Sequence, residues 1–172
     1  MNQHLVSIKR SGIDSNKIQG FVLDESDELL LLLYVYDFNL DGYMVLSKED
    51  ITYIETTDTD KFQTRLLEKS GALKNVNFNV CFNLSSWKEF INSARKEYTY
   101  FIFEEEKLEK SELTIGLIVG TAEESFQMKY FTGIGSWLEE IECLNYSDIT
   151  SCQIRSKYLN MYENYFQKNE DA

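Results

Sequence analysis

Leu46-Ser47-Lys48-Glu49-Asp50-Ile51-Thr52 and Leu144-Asn145-Tyr146-Ser147-Asp148-Ile149-Thr150 share the step Leu-x-x-x-Asp-Ile-Thr. A step of this length recurring once in a chain of 172 residues points to two copies of one unit, and a repeat decides the fold before any single element does. Upstream of each step the order of features matches. Ile18-Gln19-Gly20-Phe21-Val22 corresponds to Thr114-Ile115-Gly116-Leu117-Ile118. An acidic turn follows in each copy, Asp24 to Glu28 in the first and Glu123-Glu124 in the second, and then a further apolar segment. Gly20 and Gly116, and likewise Asp50 and Asp148, are expected in equivalent structural places.

The segments between these landmarks read as strands. Phe126, Met128 and Tyr130 alternate with Gln127 and Lys129, the period-2 pattern of a half-buried strand. Leu29 to Tyr36 is apolar on both faces, as in a strand covered on both sides. Asp41-Gly42 lies between apolar segments and predicts a hairpin turn, because glycine tolerates the positive φ that tight turns demand.

Helices are predicted after the strands. Tyr158, Met161, Tyr162, Tyr165 and Phe166 fall at i, i+3, i+4, i+7 and i+8, one stripe of a helix over 155–167 that reads as core or interface packing. Phe62 and Leu66 mark a shorter counterpart after the candidate N-caps Thr57 and Asp58. Ser86-Trp87-Lys88-Glu89 has the spacing of a capping box, and Trp87, Phe90, Ile91 and Ala94 form a third stripe. No proline interrupts the chain and no Gly/Ser-rich linker divides it, so the halves are expected to pack as one body.

Glycine in the first strand, an acidic turn, an apolar second strand and a closing Asp-Ile-Thr step resemble the Sm-like barrels, including their bacterial RNA-chaperone branch. The residues that carry the resemblance are Gly20, Asp24 to Asp27, Leu29 to Leu33 and Lys48 to Thr52 in the first copy, with Gly116 and Asp148-Ile149-Thr150 in the second. The resemblance implies an α+β chain of two tandem SH3/Sm-like small β-barrels, each followed by an amphipathic helix. Residues 1–72 would hold the first barrel and helix. Residues 73–107 would form a connector with a helix over 86–97 and a strand over 98–103. Residues 108–172 would hold the second barrel and helix. Where the RNA-chaperone branch places a Lys-His step facing uridine, this chain has Lys48-Glu49-Asp50 and Tyr146-Ser147-Asp148. Acidic residues there disfavour phosphate.

Composition narrows the function classes. The net charge is −12, a field that repels polyanions and anionic headgroups; neither nucleic acid nor membrane is an expected partner. The opening MNQHLVSIKR has no apolar segment of signal-peptide length, and no run approaches the roughly 20 apolar residues of a membrane helix. Cys81, Cys143 and Cys152 have no CxxC spacing and read as reduced, mostly buried thiols of a cytoplasmic protein. His4 is the single imidazole, so a Ser-His-Asp or Cys-His arrangement would have to rest on it; the carboxylates, which could pair as in a glycosidase, cluster as surface-like runs, and no catalytic residue is assigned. Asp37, Asn39 and Asp41 mimic the start of a calcium loop, but its twelfth position is Lys48 where a bidentate Glu is needed. Neither metal nor cofactor is expected.

The reading that remains is a non-catalytic cytoplasmic protein-interaction module with an acidic surface. Glu104, Glu105, Glu106, Glu139 and Glu140 are the candidate contacts for a partner protein of basic character. Two alternatives stand beside it: an immunity-type protein that neutralises a basic toxin, and an RNA-binding Sm-like protein.

Overall fold

The computed structural model describes residues 4–14, 16–74, 76–107 and 111–170. In chain order the strands of the first half are β1 (Val6–Lys9), β2 (Lys17–Glu25), β3 (Leu29–Tyr36), β4 (Asn39–Ser47) and β5 (Tyr53–Glu55), followed by helix α1 (Asp58–Ser70). Helix α2 (Trp87–Ala94) leads to β6 (Phe101–Glu106), β7 (Ser111–Thr121), β8 (Ser125–Phe131), β9 (Trp137–Asn145), β10 (Ser151–Ile154) and helix α3 (Lys157–Glu170). All ten strands form one sheet in the order β5-β1-β2-β3-β4-β10-β6-β7-β8-β9. Every recorded pairing in it is antiparallel.

This arrangement overturns the two closed barrels expected above. Closing a barrel within the first half would require β4 to pair with β5. Instead, the outer edge of β4 takes β10 from the other half, with Ser151, Cys152, Gln153 and Ile154 opposite Leu46, Val45, Met44 and Tyr43. An edge can be filled once, so the pairing that would have closed each half is spent on joining them. The sheet stays open, ending in β5 on one side and β9 on the other.

The two halves nevertheless repeat one strand order: β5-β1-β2-β3-β4 in the first and β10-β6-β7-β8-β9 in the second. The repeated Asp-Ile-Thr step has a physical reason. Each Asp ends a short 3-10 turn, Lys48–Asp50 or Tyr146–Asp148. Each Thr then ties the returning chain to the first strand of its half. The Thr52 amide donates to Lys9 O at 2.8 Å and the Thr150 amide to Glu104 O at 2.9 Å. The Thr52 hydroxyl accepts from the Ser11 amide at 2.9 Å, and the Thr150 hydroxyl accepts from the Glu106 amide at 3.2 Å. Gly20 and Gly116 also share a role. A Cβ on Gly20 would lie 2.7 Å from Leu33 O, and one on Gly116 would lie 2.0 Å from Lys129 O, so both strands cross too closely for a side chain.

Two cores stabilise the sheet. The larger joins Phe21, Leu31 and Val45 of the first half to Phe103, Phe126 and Ile149 of the second, under the α2 face of Trp87, Phe90, Ile91 and Ala94. Burial of each large side chain on that face stabilises by about 1.5–3 kcal/mol. Ser86 caps α2, its hydroxyl accepting from the Glu89 amide at 3.2 Å. The smaller core, Ile8, Leu30, Leu32, Met44 and Leu46, contains no helical residue, so the strands of the first half curl around it themselves.

Helix α1 departs from its predicted apolar stripe. Phe62 and Leu66 face solvent, while Asp60, Thr64 and Leu67 are buried. Asp60 accounts for the inversion. Its carboxylate accepts from the Thr57 amide at 2.7 Å, the Ser7 hydroxyl at 2.9 Å and the Gln19 side chain at 2.9 Å. Burial alone would push its pKa up, but these donors outweigh it and hold the carboxyl below its usual range. The predicted turn at Asp41-Gly42 also moves. The β3–β4 turn is at Asp37 and Phe38, both at positive φ. Gly42 lies inside β4 at φ +74°, where a Cβ would sit 2.5 Å from Arg155 O. No helix among the described residues is long and apolar enough to cross a membrane.

Candidate protein-docking surface

Sequence periodicity finds an apolar stripe but cannot say what covers it. On α3 the answer is mixed. Leu159 and Phe166 are buried, and Phe166 packs against Trp137, Phe131 and Tyr100 with ring centroids 4.9, 5.0 and 5.8 Å apart. Tyr158, Met161 and Tyr165 face solvent instead, Met161 with 70% of its surface exposed. Beside them the β8–β9 turn projects Ile134, 84% exposed. Gly133, Ile134, Gly135, Met161, Tyr162 and Tyr165 line an apolar hollow of about 240 Å³.

The hollow is held open by specific contacts. Gly135 at φ +72° lets the turn pass beneath Tyr165, where a Cβ would approach the ring to 2.8 Å. The Tyr162 hydroxyl donates to Gly133 O at 2.8 Å, and Tyr158 and Tyr162 pack with centroids 5.0 Å apart. The first turn of α3 is pinned twice. The Ser156 hydroxyl accepts from the Leu159 amide at 3.2 Å, and the Asp41 carboxylate of the other half accepts from the Lys157 amide at 2.6 Å. The Lys157 ammonium donates to Asn39 Oδ1 at 3.0 Å. These bonds bring the β3–β4 tip to the start of α3, and that tip presents Tyr36, 66% exposed, and Phe38.

Six large apolar side chains, from a hairpin of one half and a helix and turn of the other, therefore face solvent on elements tied to one another. Exposed apolar surface of this kind marks interaction sites, and aromatic residues and methionine are the types enriched in protein interfaces. The tip also spends backbone strain: Asp37 and Phe38 have φ of 47° and 62°, a conformation that non-glycine residues seldom adopt.

The same geometry shows what became of the calcium-like string. Asn39 and Asp41 direct their oxygens at Lys157, and the Asn39 amide donates to Asp37 O at 2.9 Å. They act as a helix clamp. Among the described residues, no group of three or more His, Cys, Asp or Glu side chains is placed to hold a metal ion.

The five glutamates named from sequence separate into two settings. Glu106 is bonded to Arg10, the residue after β1, at 2.8 Å through Nη2 and again through Nη1, and the Thr150 hydroxyl donates to it at 2.7 Å. Glu104 accepts from the Ser151 hydroxyl at 2.6 Å. Burial pushes the Glu104 carboxyl up, with the charge on Glu106 adding to the shift. Glu105 is half-buried and also raised by burial, then by Asp148. This trio belongs mainly to the seam between the halves. Glu139 and Glu140 are exposed on the edge strand β9. Asp148 accepts from Asn145 at 3.0 Å, and Asp50 is half-buried, its pKa raised by burial and by Glu49.

A cleft of about 1000 Å³ lies where the two 3-10 turns approach the start of α2, between Lys48, Glu49, Tyr146, Ser147 and Trp87. Asp27, Glu28 and Glu123 make its remaining charge mostly negative. Lys48 is bonded to Glu25 at 2.9 Å and to Ser26 O at 2.7 Å, and Lys88 is bonded to Glu123. Both cations in the cleft are therefore committed. The thiols also differ from expectation: Cys152 is buried, its pKa pushed well up by burial, whereas Cys81 and Cys143 are exposed.

Periodicity assigns the α3 stripe to core or interface packing and cannot separate its buried Phe166 from its exposed Tyr158, Met161 and Tyr165. The signal available was the excess of aromatic and Met residues over what a helix of this length can bury. No protein family, curated protein or solved structure matches the chain.

Proposed function

We propose that this chain is a non-catalytic protein-interaction module that docks its partner on the α3 face and the adjoining β3–β4 tip. One observation carries the reading: Tyr36, Phe38, Ile134, Tyr158, Met161 and Tyr165 are exposed on elements that are hydrogen-bonded to α3 through Lys157 and Tyr162. Rigid aromatic side chains lose little conformational entropy on binding, which makes them effective anchors. The net charge of −12 favours a partner with a basic rim around an apolar centre. A basic toxin would be one such partner, and the immunity-type role is a special case of this docking. RNA binding is disfavoured, because the turns that would face uridine line a cleft of mostly negative charge whose lysines are already paired. A cytoplasmic setting accords with three thiols in no disulfide.

The test is a photo-crosslinking amino acid placed at Met161, at Tyr36 and, as a control, at exposed Glu68 of α1, in the native host. The reading expects one partner crosslinked from both 161 and 36 and not from 68. Equal labelling from all three sites would count against it.

A further inference from the structure

The internal repeat makes a statement about the open edge of the sheet. In the first half, the last long strand, β4, has its outer edge filled by β10. The Lys48 amide turns inward to Glu28 O at 2.8 Å and the preceding Ser47 amide turns outward to Thr150 O at 3.1 Å. In the second half the equivalent strand is β9, and the equivalent inward bond is present, from the Tyr146 amide to Glu124 O at 3.0 Å. Alternation along an antiparallel pair then directs the amides of Asn145, Cys143 and Ile141 outward. Among the described residues no strand pairs with that side of β9.

We propose that the outer edge of β9, Ile141 to Asn145, accepts an extended basic segment of a protein partner as an additional antiparallel strand. The first half shows that a strand fits this position, since β10 occupies it there over four residue pairs. Charge selects the occupant. Glu139 and Glu140 are exposed on β9, and Glu142 follows them. A lysine or arginine on the incoming strand opposite Glu142 gains a cross-strand pair. A second copy of this chain fits poorly. Placing its β5 as β10 is placed on β4 sets Glu55 opposite Glu142, at a non-hydrogen-bonded position where side chains lie closest. Like charges directly opposite destabilise, and each copy carries −12 overall. A charged edge of this kind is how a sheet avoids pairing with itself, while backbone groups left open serve a partner strand.

The probe is a blocked eight-residue peptide of alternating lysine and valine, titrated into the full chain and followed by amide hydrogen exchange and calorimetry. A second peptide of the same sequence, N-methylated at alternate residues, keeps the charge and loses the strand donors. The expected result is protection of the Cys143 and Asn145 amides by the first peptide, and binding weaker by at least roughly tenfold for the second. The Cys143→Pro variant removes an outward amide, tolerated on an edge strand, and should lose the first peptide while keeping its melting temperature within a few degrees. The Met161→Asp variant should bind the peptide unchanged, which separates this proposal from docking on α3. Three results would overturn it: equal binding of both peptides, no binding of either, or self-association of the free chain with protection at both Tyr53–Glu55 and Ile141–Asn145.

Discussion

Replacing Arg10 by methionine removes the cation that joins the end of β1 to β6 of the other half. Arg10 is 3% exposed, and the Glu106 side chain opposite it retains 14% of its surface. The guanidinium bonds both carboxylate oxygens, and Thr150 donates to one of them at 2.7 Å. An exposed ion pair in this place would contribute about 0–1 kcal/mol. Here the mostly buried carboxylate of Glu106 would keep the Thr150 hydroxyl as its side-chain donor and little room for water. Breaking one side of such a pair costs about 3–5 kcal/mol, a large share of the stability of a domain. Among the described residues Arg10 Nε has no hydrogen-bond partner, which subtracts from the value of the intact pair and not from the cost of breaking it. Urea unfolding of wild type, Arg10→Met, Glu106→Gln and the double variant forms a complete cycle. The single Arg10→Met change should cost at least about 3 kcal/mol, and the double change should recover most of that loss. A single-variant cost below about 1 kcal/mol, the range of an exposed pair, would refute the assignment of this pair as the clamp of the seam.

Other changes separate the remaining claims. Asp60→Ala should cost roughly 2–4 kcal/mol, because it removes a helix cap and strands the Ser7 and Gln19 donors; chemical denaturation measures it, and a loss under about 1 kcal/mol contradicts the network. Gly116→Ala should destabilise more than Gly20→Ala, since its Cβ meets Lys129 O at 2.0 Å against 2.7 Å to Leu33 O, with overpacking costs of about 1–3 kcal/mol as the scale. Glu104 holds its proton to higher pH in the folded chain than its ordinary 4.5. The folded state therefore binds more protons above that value, and this group's contribution to stability falls as pH rises from there through its raised pKa. Glu104→Gln should flatten that part of the urea midpoint's pH profile, and an unchanged slope would show that burial does not govern this carboxyl.

What the sequence made legible was local. The α2 face of Trp87, Phe90, Ile91 and Ala94 and its Ser86 cap depend on residues within two turns, and Phe126 and Met128 announce their strand by alternation alone. The seam was not legible, because nothing in Tyr43 to Leu46 distinguishes β5 from β10 as the partner of β4. That choice is tertiary. Glu104 to Glu106 read as a solvated run, since Arg10 lies far away in the chain and no local rule couples them. The string Asp37 to Gly42 reads as a polar turn, but its glycine signal centres the turn on Asp41-Gly42, whereas Asp37 and Phe38 make it and Gly42 serves a close approach to Arg155. The α3 stripe is legible as one helix face, yet periodicity cannot tell a face covered within the chain from one left for a partner.

The central claim is that the exposed aromatic face of α3 and the β3–β4 tip bind a protein. Its most direct measurement is calorimetric titration of the purified crosslinked partner into wild type and into the Ile134→Asp/Met161→Asp variant. Both changes are at exposed positions, where stability should shift by no more than about 0.5 kcal/mol each. Wild type should bind with a negative heat-capacity change, the mark of apolar burial, and the variant about a hundredfold more weakly, as for the loss of interface hot spots. Equal affinity for the two proteins, with the variant fully folded, would contradict it.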